Sequence, residues 1–320
     1  MATKKRKFRK SPKPLVEVPG APIRHLAECS PHRTTGGRFV EGITQFDAEY
    51  ESHIESGVLN HLLLCHDVRA ITSQASEEPY SLEGKIRHHI PDFTVDAFVD
   101  GLRLEVKSLT FLVREDSLDK YVAIARAYRE RQIPFAFLVD AQLAEEPRSS
   151  SVKLLSRYVT SRVPANNVAR ITETLTAGPL SILDLMTRAS VELVDVWSMI
   201  ATRKICFDWS IPLHPRTTVV SLPAQPFGGL ALESIIGSGR YSGLLAEMAM
   251  GRRPANKPLL ADAATWRRSR QPVSPRGFFG GAVLGAPLRS LTEEERLFRN
   301  AYHRGGFSLG QVAGSIDAGK

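Results

Sequence analysis

The segment HIPDFTVDAFVDGLRLEVKS at residues 89–108 decides the fold of the central part of the chain. It predicts two strands, residues 86–98 and 102–109, because hydrophobic residues dominate on both sides of Asp100-Gly101. An Asp-Gly pair favours a hairpin turn, since glycine adopts the positive φ that such a turn needs. The apolar residues at positions 102, 104, 106 and 109 indicate that the second strand is central in a sheet.

The same hairpin carries the residue types of a metal-dependent phosphodiesterase site. Glu105 and Lys107 are two positions apart, so their side chains point from one face of the strand. Asp92 interrupts the apolar start of the first strand and, across the turn, can lie near Glu105. Carboxylates hold Mg²⁺, which activates water, while a lysine positions that water and offsets phosphate charge. The alternative is an ion pair between Glu105 and Lys107 on an exposed strand, which the apolar neighbours make the weaker interpretation.

A helix predicted within residues 46–66 supplies a further carboxylate. Its hydrophobic stripe has helical spacing and consists of Ile54, Val58, Leu59, Leu62 and Leu63. Glu55 lies at the edge of that stripe, aimed at the sheet, where a carboxylate needs a partner such as a metal ion. Glu51, four residues earlier on the same face, is a candidate supporting residue. The competing interpretation is that Glu55 only favours the N-terminus of the helix dipole.

The order of predicted elements gives a mixed sheet with helices on its faces, an α/β fold. We predict a basic flexible arm at 1–40 and an α/β domain at 41–145, which a polar linker at 144–151 follows. Short helices and a β-ribbon predict a winged-helix-like α+β domain at 150–222. The recognition helix of this domain would be residues 191–202. Two acidic residues in that helix disfavour contacts with bases in a DNA groove, so we favour a role in docking to another protein. An extension rich in Gly, Pro and Arg at 223–320 is predicted to be partly disordered, with helices within 230–250 and at 292–302.

Composition narrows the classes of partner. The 320 residues carry a net charge of +8, which favours a polyanionic partner without choosing between DNA, RNA and acidic membrane. The three cysteines are far apart and form no zinc-binding pair or disulfide framework. No apolar run is long enough to span a bilayer and no signal peptide is visible, so we expect a soluble, intracellular protein.

Other polar clusters are weaker candidates. His88 and His89 precede Asp92 and could contact phosphate, although ordinary strand polarity is the favoured interpretation. His61 and Cys65 have helical spacing, but without a further ligand they are expected to be packed side chains. The arginine-rich patch after Trp266 could bind nucleic acid by stacking on its bases and neutralising its phosphates. The alternative is that this patch is a basic linker.

Together the motifs resemble the TnsA family of endonuclease subunits within the PD-(D/E)xK nuclease superfamily. The similarity covers residues 46–142, and its motifs are S-H-I-E at 52–55, Gln74, P-D-F at 91–93, E-V-K at 105–107 and Q-I-P at 132–134. The resemblance implies a restriction-endonuclease-like mixed sheet with flanking helices. It also implies that Glu55, Asp92 and Glu105 bind Mg²⁺, with Mn²⁺ able to substitute, and that Lys107 acts on the nucleophilic water. Gln74 would be a supporting residue.

The resemblance further implies that the protein is one of two DNA-cutting subunits in a cut-and-paste transposase. Members of the family cut the 5′ ends of a transposon in double-stranded DNA, while a DDE-type transposase subunit cuts and joins the 3′ ends. An AAA+ ATPase regulator would be a second protein partner, and the protein would act in the bacterial cytoplasm at the nucleoid. Two alternatives stay open: a stand-alone restriction- or repair-type nuclease, and a DNA-binding regulatory subunit that keeps only the fold. The intact set of Glu55, Asp92, Glu105 and Lys107 argues against the second.

Overall fold

The structure, a computed structural model, describes residues 36–44, 46–223 and 229–266. Most of the predicted basic arm, the arginine-rich patch after Trp266 and the predicted helix at 292–302 lie outside these segments. The strands of the described segments are β1 (Gly36–Arg38), β2 (Ala48–Tyr50), β3 (Ala70–Ser73), β4 (Glu78–Leu82), β5 (Lys85–His89), β6 (Phe93–Asp96), β7 (Leu102–Lys107), β8 (Phe135–Val139), β9 (Leu180–Ser181), β10 (Cys206–Phe207) and β11 (Val219–Ser221).

The helices of the same segments lie before, between and after these strands in the sequence. They are α1 (His53–Leu64), α2 (Leu109–Leu112), α3 (Glu115–Glu130), α4 (Asp140–Leu143), α5 (Arg148–Leu155), α6 (Ala165–Thr176), α7 (Ile182–Ala189), α8 (Leu193–Ala201), α9 (Leu232–Ile236), α10 (Ser242–Ala249) and α11 (Lys257–Thr265). The predicted mixed α/β class is therefore confirmed for the described part of the chain.

The central sheet contains four strands in the order β3-β6-β7-β8. β6 pairs antiparallel with both β3 and β7, whereas β7 and β8 are parallel. The predicted turn is confirmed, because Gly101 has a φ of +64° and its N–H donates to Asp96 Oδ1 at 2.7 Å. β7 is therefore an interior strand, as its sequence predicts.

The predicted extent of the strand before that turn is wrong. Residues 86–98 form two strands in different sheets, since β5 pairs with β4 while β6 belongs to the central sheet. Pro91 separates the two strands because it has no N–H to donate to a sheet. Asp92 therefore lies in a bend ahead of β6. The strand after the turn ends at Lys107, because Ser108 caps α2 by accepting from the N–H of Phe111 at 3.3 Å.

The two faces of the central sheet are covered by different helices. Leu104 and Val106 of β7 are buried on the face that α1 covers. Strand alternation places Glu105 and Lys107 on the opposite face, together with Phe137 of β8 and the α3 side chains. The polar residues of the hairpin thus enter a second, largely aromatic cluster.

The segment after residue 145 packs closely against the first part of the chain. Ser149, Ser150 and Ser151 are buried in α5, so the prediction of a linker at 144–151 is wrong there. Short hydroxyl side chains can be buried when they find a local backbone acceptor, as Ser151 Oγ does with the carbonyl of Pro147 at 3.3 Å. Buried residues from both parts form one continuous cluster, and the division into domains at 41–145 and 150–222 stays a prediction.

Helices α5 to α8 surround a small sheet with the strand order β10-β11-β9. Most of α8 is buried, including Trp197, Met199 and Ile200, so this helix does not present a face to a DNA groove. That burial agrees with the preference against groove reading. The winged-helix character of this region stays a prediction.

Part of the predicted extension belongs to the core of the protein. Helix α10 packs on α3 and β8, and buries Leu244, Leu245 and Met248 in the second cluster. The helix predicted within residues 230–250 is therefore confirmed, as α9 and α10, and α10 adds its apolar side chains to the core. The cluster is shared rather than independent, because the apolar face of α10 covers the outer strand of the sheet.

A pair of methionines in this region allows a direct test. Met248→Ala is expected to lower the free energy of unfolding by about 2–4 kcal/mol, because the side chain is fully buried and leaves a cavity. Met250→Ala, at a side chain that is 40% exposed, should change it by less than about 0.5 kcal/mol. Denaturant unfolding measures both, and equal effects would contradict the packing of α10 in the core.

Candidate active site

Three of the predicted residues meet at the end of the central strands. Lys107 Nζ lies 2.7 Å from Glu105 Oε1 and 3.0 Å from Asp92 Oδ2, and it also donates to the carbonyl of Val106 at 2.9 Å. The Lys107 side chain is 25% exposed, and the two carboxylates are more deeply buried. The ion pair between Glu105 and Lys107 therefore exists, but it is a buried one with a second carboxylate rather than a pair on an exposed strand.

Asp92 is fixed by the backbone as well as by the lysine. Its Oδ2 accepts a hydrogen bond from the N–H of Val106 at 2.7 Å. Burial raises the pKa of Asp92 to about 8; the Glu105 and Glu55 carboxylates add to the rise, while Lys107 and the Val106 N–H oppose it. The charged form of Asp92 is disfavoured chiefly because burial removes it from water, and the neighbouring carboxylates add to that effect.

Glu105 is held from a second side by His89. Its Oε2 lies 2.8 Å from His89 Nε2, and His89 Nδ1 lies 3.1 Å from the hydroxyl of Tyr128. Burial and the nearby Glu105 carboxylate raise the pKa of the Tyr121 hydroxyl. Burial alone would raise the pKa of Glu105, but the Lys107 ammonium and His89 hold it at about 2. Glu105 therefore stays ionised in one orientation.

Glu55 takes part in the cap of α1. Ser52 is the N-cap residue, and its Oγ accepts from the N–H of Glu55 at 3.1 Å and donates to Glu55 Oε1 at 2.8 Å. Glu55 Oε2 accepts from the backbone N–H of Glu51 at 2.7 Å. Glu55 is also close enough to Asp92 to raise the pKa of that carboxyl. It caps the helix and adds negative charge to the cluster, whereas Glu51 supports Glu55 through its backbone.

Gln74 lies beside Asp92 at the end of β3. Its N–H donates to the carbonyl of Asp92 at 3.2 Å, and its φ of +48° is uncommon for a residue other than glycine. The Gln74 side chain is buried, and its Oε1 has no hydrogen-bond partner. Leaving an acceptor buried without a partner costs free energy, so this atom marks a place for a ligand or a water.

The chemistry of these donors fits a hard divalent cation such as Mg²⁺ or Mn²⁺. Asp92 and Glu105 offer carboxylate oxygens and Gln74 an amide oxygen, the ligand types that such ions prefer. Across residues 36–44, 46–223 and 229–266, no group of three His, Cys, Asp or Glu side chains has a metal-binding arrangement. A bound ion would share Asp92 and Glu105 with the Lys107 ammonium, and Glu55 would have to loosen its capping contacts to join it.

Sequence reasoning missed the imidazole and phenol groups around Glu105. The pattern predicts His89 as an ordinary polar strand residue, yet the side chain is buried between Glu105 and Tyr128. One signal was present, because Tyr121 and Tyr128 are seven residues apart and share a helical face that is otherwise apolar. A buried tyrosine hydroxyl usually finds a polar partner, so two of them facing a sheet indicate polar groups on that sheet.

Comparison with known proteins does not assign a family, since no protein-family model and no curated protein matches the chain. The resemblance to the TnsA family therefore depends on the motifs themselves and on the convergence of Asp92, Glu105 and Lys107. None of the helices in the described segments combines the length and the apolar character that a membrane-spanning helix requires.

Proposed function

We propose that the chain is a divalent-metal-dependent DNA endonuclease with Asp92, Glu105 and Lys107 in its active site. The observation that carries the proposal is the Lys107 ammonium shared by two buried carboxylates. Gln74, whose buried amide oxygen has no hydrogen-bond partner, donates its N–H to the carbonyl of Asp92. A structural ion pair needs one acidic residue. The second, Asp92, is held where its charged form is disfavoured, and a divalent cation can stabilise that form.

Each residue of the cluster has a separate role in this proposal. Asp92 and Glu105, with Glu55 as a third carboxylate, would hold Mg²⁺, and Gln74 would support them. Mg²⁺ supplies Lewis acidity and a hydroxide near neutral pH. Lys107 places its positive charge beside the phosphate and orients the attacking water. Phosphodiester hydrolysis therefore has its nucleophile and its charge stabilisation on one face of β7.

The more specific proposal is the endonuclease subunit of a Tn7-like transposase, which cuts the 5′ ends of a transposon. It is supported by the motifs at 52–55, 91–93 and 105–107 and by a mixed sheet that suits a restriction-endonuclease-like fold. Its partners would be double-stranded transposon-end DNA, a DDE-type transposase subunit and an AAA+ ATPase. The winged-helix-like region at 150–222 would be a docking module, since α8 is buried. The site of action would be the nucleoid in a bacterial cytoplasm.

Cleavage of transposon-end DNA with Mg²⁺, with and without the two partner proteins, tests this proposal. We expect 5′-end cuts with Mg²⁺ or Mn²⁺, and assembly without cutting in Ca²⁺. Cutting of DNA without ends or partners would favour a stand-alone restriction- or repair-type nuclease. No cutting under any of these conditions would contradict the proposal.

The second candidate is a catalytically silent DNA-binding subunit. The observation in its favour is that Lys107 bridges both carboxylates and that the described residues contain no three-ligand metal group. Specific DNA binding that does not depend on a divalent metal, with no cleavage under any condition, would select this candidate.

His89 provides a further prediction about the site. His89→Leu is expected to lower the cleavage rate about 10- to 100-fold, because Glu105 loses the partner that fixes its orientation. His89→Gln should retain more activity, since an amide can still donate to Glu105. The adjacent His88→Leu is the matched control, because the His88 side chain is mostly exposed. Initial cleavage rates in Mg²⁺ measure all three variants. A His89→Leu protein that cuts at the rate of the control would show that His89 has no role in positioning Glu105.

A further inference from the structure

A small aromatic and basic surface adjoins the proposed active site. It consists of Phe111, Arg114, Lys120 and Tyr121, and we call it the α2–α3 platform. Phe111 is 39% exposed although it is a large apolar residue. It follows β7 by only four residues, because α2 begins directly after Ser108. The platform is therefore attached to the strand that carries Glu105 and Lys107.

Tyr121 links the platform to the active site. The Phe111 and Tyr121 rings meet edge to face with their centroids 6.4 Å apart. Lys107 Nζ lies 6.0 Å from the centroid of the Tyr121 ring, and Lys120 Nζ lies 5.2 Å from it. Burial raises the pKa of the Tyr121 hydroxyl, and Tyr121 is also close enough to Glu105 for that carboxylate to raise this pKa further. One buried ring thus contacts the proposed catalytic lysine, a second lysine and the exposed phenylalanine.

Cationic side chains lie beside the aromatic rings of the platform. The Arg114 guanidinium lies 5.6 Å from the centroid of the Phe111 ring, and it forms a long, exposed ion pair of 3.5 Å with Asp116. The other two acidic residues in this part of α3, Glu115 and Asp119, both pair with Arg253. Arg253, which comes from the C-terminal part of the chain, is shared by these two carboxylates, so the cations and the acidic residues of this surface balance in charge.

We propose that the α2–α3 platform binds an unpaired nucleotide of the strand that is cut, with its base on Phe111 and its phosphates at Arg114 and Lys120. An exposed ring flanked by cations is the arrangement that binds single-stranded nucleic acid, because every base offers a π-face and every linkage a phosphate. A base inside a duplex is already stacked on both faces, so the nucleotide must be at a frayed or cut end. The inference rests on the proposed function, since it takes DNA as the substrate.

The test uses binding, so that it does not depend on cleavage. The full chain, in Ca²⁺ so that the DNA stays uncut, is given two probes: a blunt DNA duplex, and the same duplex with a single-stranded overhang that contains 2-aminopurine. We expect Phe111→Leu to weaken binding of the overhang duplex about tenfold and to remove the fluorescence quenching of 2-aminopurine. Phe111→Trp should retain both, and the blunt duplex should bind unchanged.

Matched controls separate stacking from folding and from general charge. Phe98→Leu changes another exposed phenylalanine, at the turn after β6, and should leave both probes unaffected. Arg114→Gln and Lys120→Gln should each reduce the salt dependence of overhang binding by about one counterion. Thermal unfolding must show that every variant is folded.

The outcomes keep the two proposals apart. Equal binding of the overhang duplex by Phe111→Leu and Phe98→Leu would overturn the platform, and so would equal weakening of both probes by Phe111→Leu. If the unmodified chain cuts DNA in Mg²⁺ while Phe111→Leu binds normally, the nuclease stands and the platform fails. If Phe111-dependent quenching occurs but no DNA is ever cut, the platform stands and the nuclease fails. If the chain binds neither probe, the platform is overturned, and the nuclease is decided by cleavage of end DNA in the presence of the partner proteins.

Discussion

Asp92→Asn is expected to abolish DNA cleavage, with a loss of at least about 10²–10³-fold in rate. The substitution keeps the size of the side chain and an oxygen that can accept from the N–H of Val106, so the bend before β6 should persist. It removes a negative charge that the proposed metal ion needs and that pairs with Lys107 at 3.0 Å. Single-turnover cleavage of end DNA in Mg²⁺ measures the loss.

Asp100→Asn is the matched control for this substitution. Asp100 lies in the turn of the same hairpin, and its side chain is 82% exposed. Its rate should stay within about twofold of the unmodified protein, since surface changes away from a site have small effects. A folded Asp92→Asn protein that cuts at the rate of this control would exclude the cluster as the active site.

Lys107→Met is expected to reduce stability strongly when no divalent cation is present. The lysine is the shared partner of Asp92 and Glu105, and its removal leaves two buried carboxylates close together. Breaking a buried ion pair costs about 3–5 kcal/mol, and partial exposure of Lys107 reduces the expected loss to about 2–4 kcal/mol. Denaturant unfolding in the presence of a chelator measures it, with the exposed Lys85→Met as the control.

The same variant separates a metal site from a structural ion pair. Mg²⁺ or Mn²⁺ should return part of the lost stability to Lys107→Met, because a ligand that binds only the folded protein raises its free energy of unfolding. Cleavage should stay impaired, since the metal does not replace the charge that Lys107 places beside the phosphate. A loss of stability that divalent cations leave unchanged would indicate that Lys107 is only a structural partner of the two carboxylates.

Local patterns in the sequence predict the hairpin and the meeting of its polar residues. Asp100-Gly101 fixes the turn, and the two-residue spacing of Glu105 and Lys107 puts both on one face of β7. These features depend on backbone geometry over a few residues, which periodicity captures. The same local patterns also predict the mixed α/β fold.

Features that depend on packing between distant segments could not be predicted in this way. His89 reaches Glu105 from β5, which pairs with β4 in a separate sheet and ends before Pro91, and the periodicity of the sequence does not predict this division. The cover that α10 gives to β8 comes from a segment whose Gly, Pro and Arg content predicts little structure. In both places tertiary burial decides the conformation, since the free energy comes from removing apolar surface of distant elements from water.

The double role of Glu55 shows a second limit of the sequence. Its sequence position allows two competing interpretations, a metal-binding carboxylate near the sheet and a charge that favours the N-terminus of the helix dipole, whereas the structure shows a cap formed with Ser52. Only the structure shows that both carboxylate oxygens accept hydrogen bonds at the start of α1. The balance between capping and metal binding depends on the ion, which sequence patterns do not contain.

Binding of Mn²⁺ to the full chain, followed by electron paramagnetic resonance, tests the central claim most directly. We expect that the unmodified protein binds Mn²⁺ and that Mg²⁺ competes for the same metal site. We also expect that Asp92→Asn loses Mn²⁺ binding while Asp100→Asn retains it. If the unmodified protein binds no Mn²⁺ with or without DNA, or if Asp92→Asn binds it equally well, the cluster of Asp92, Glu105 and Lys107 is not a metal-dependent nuclease site.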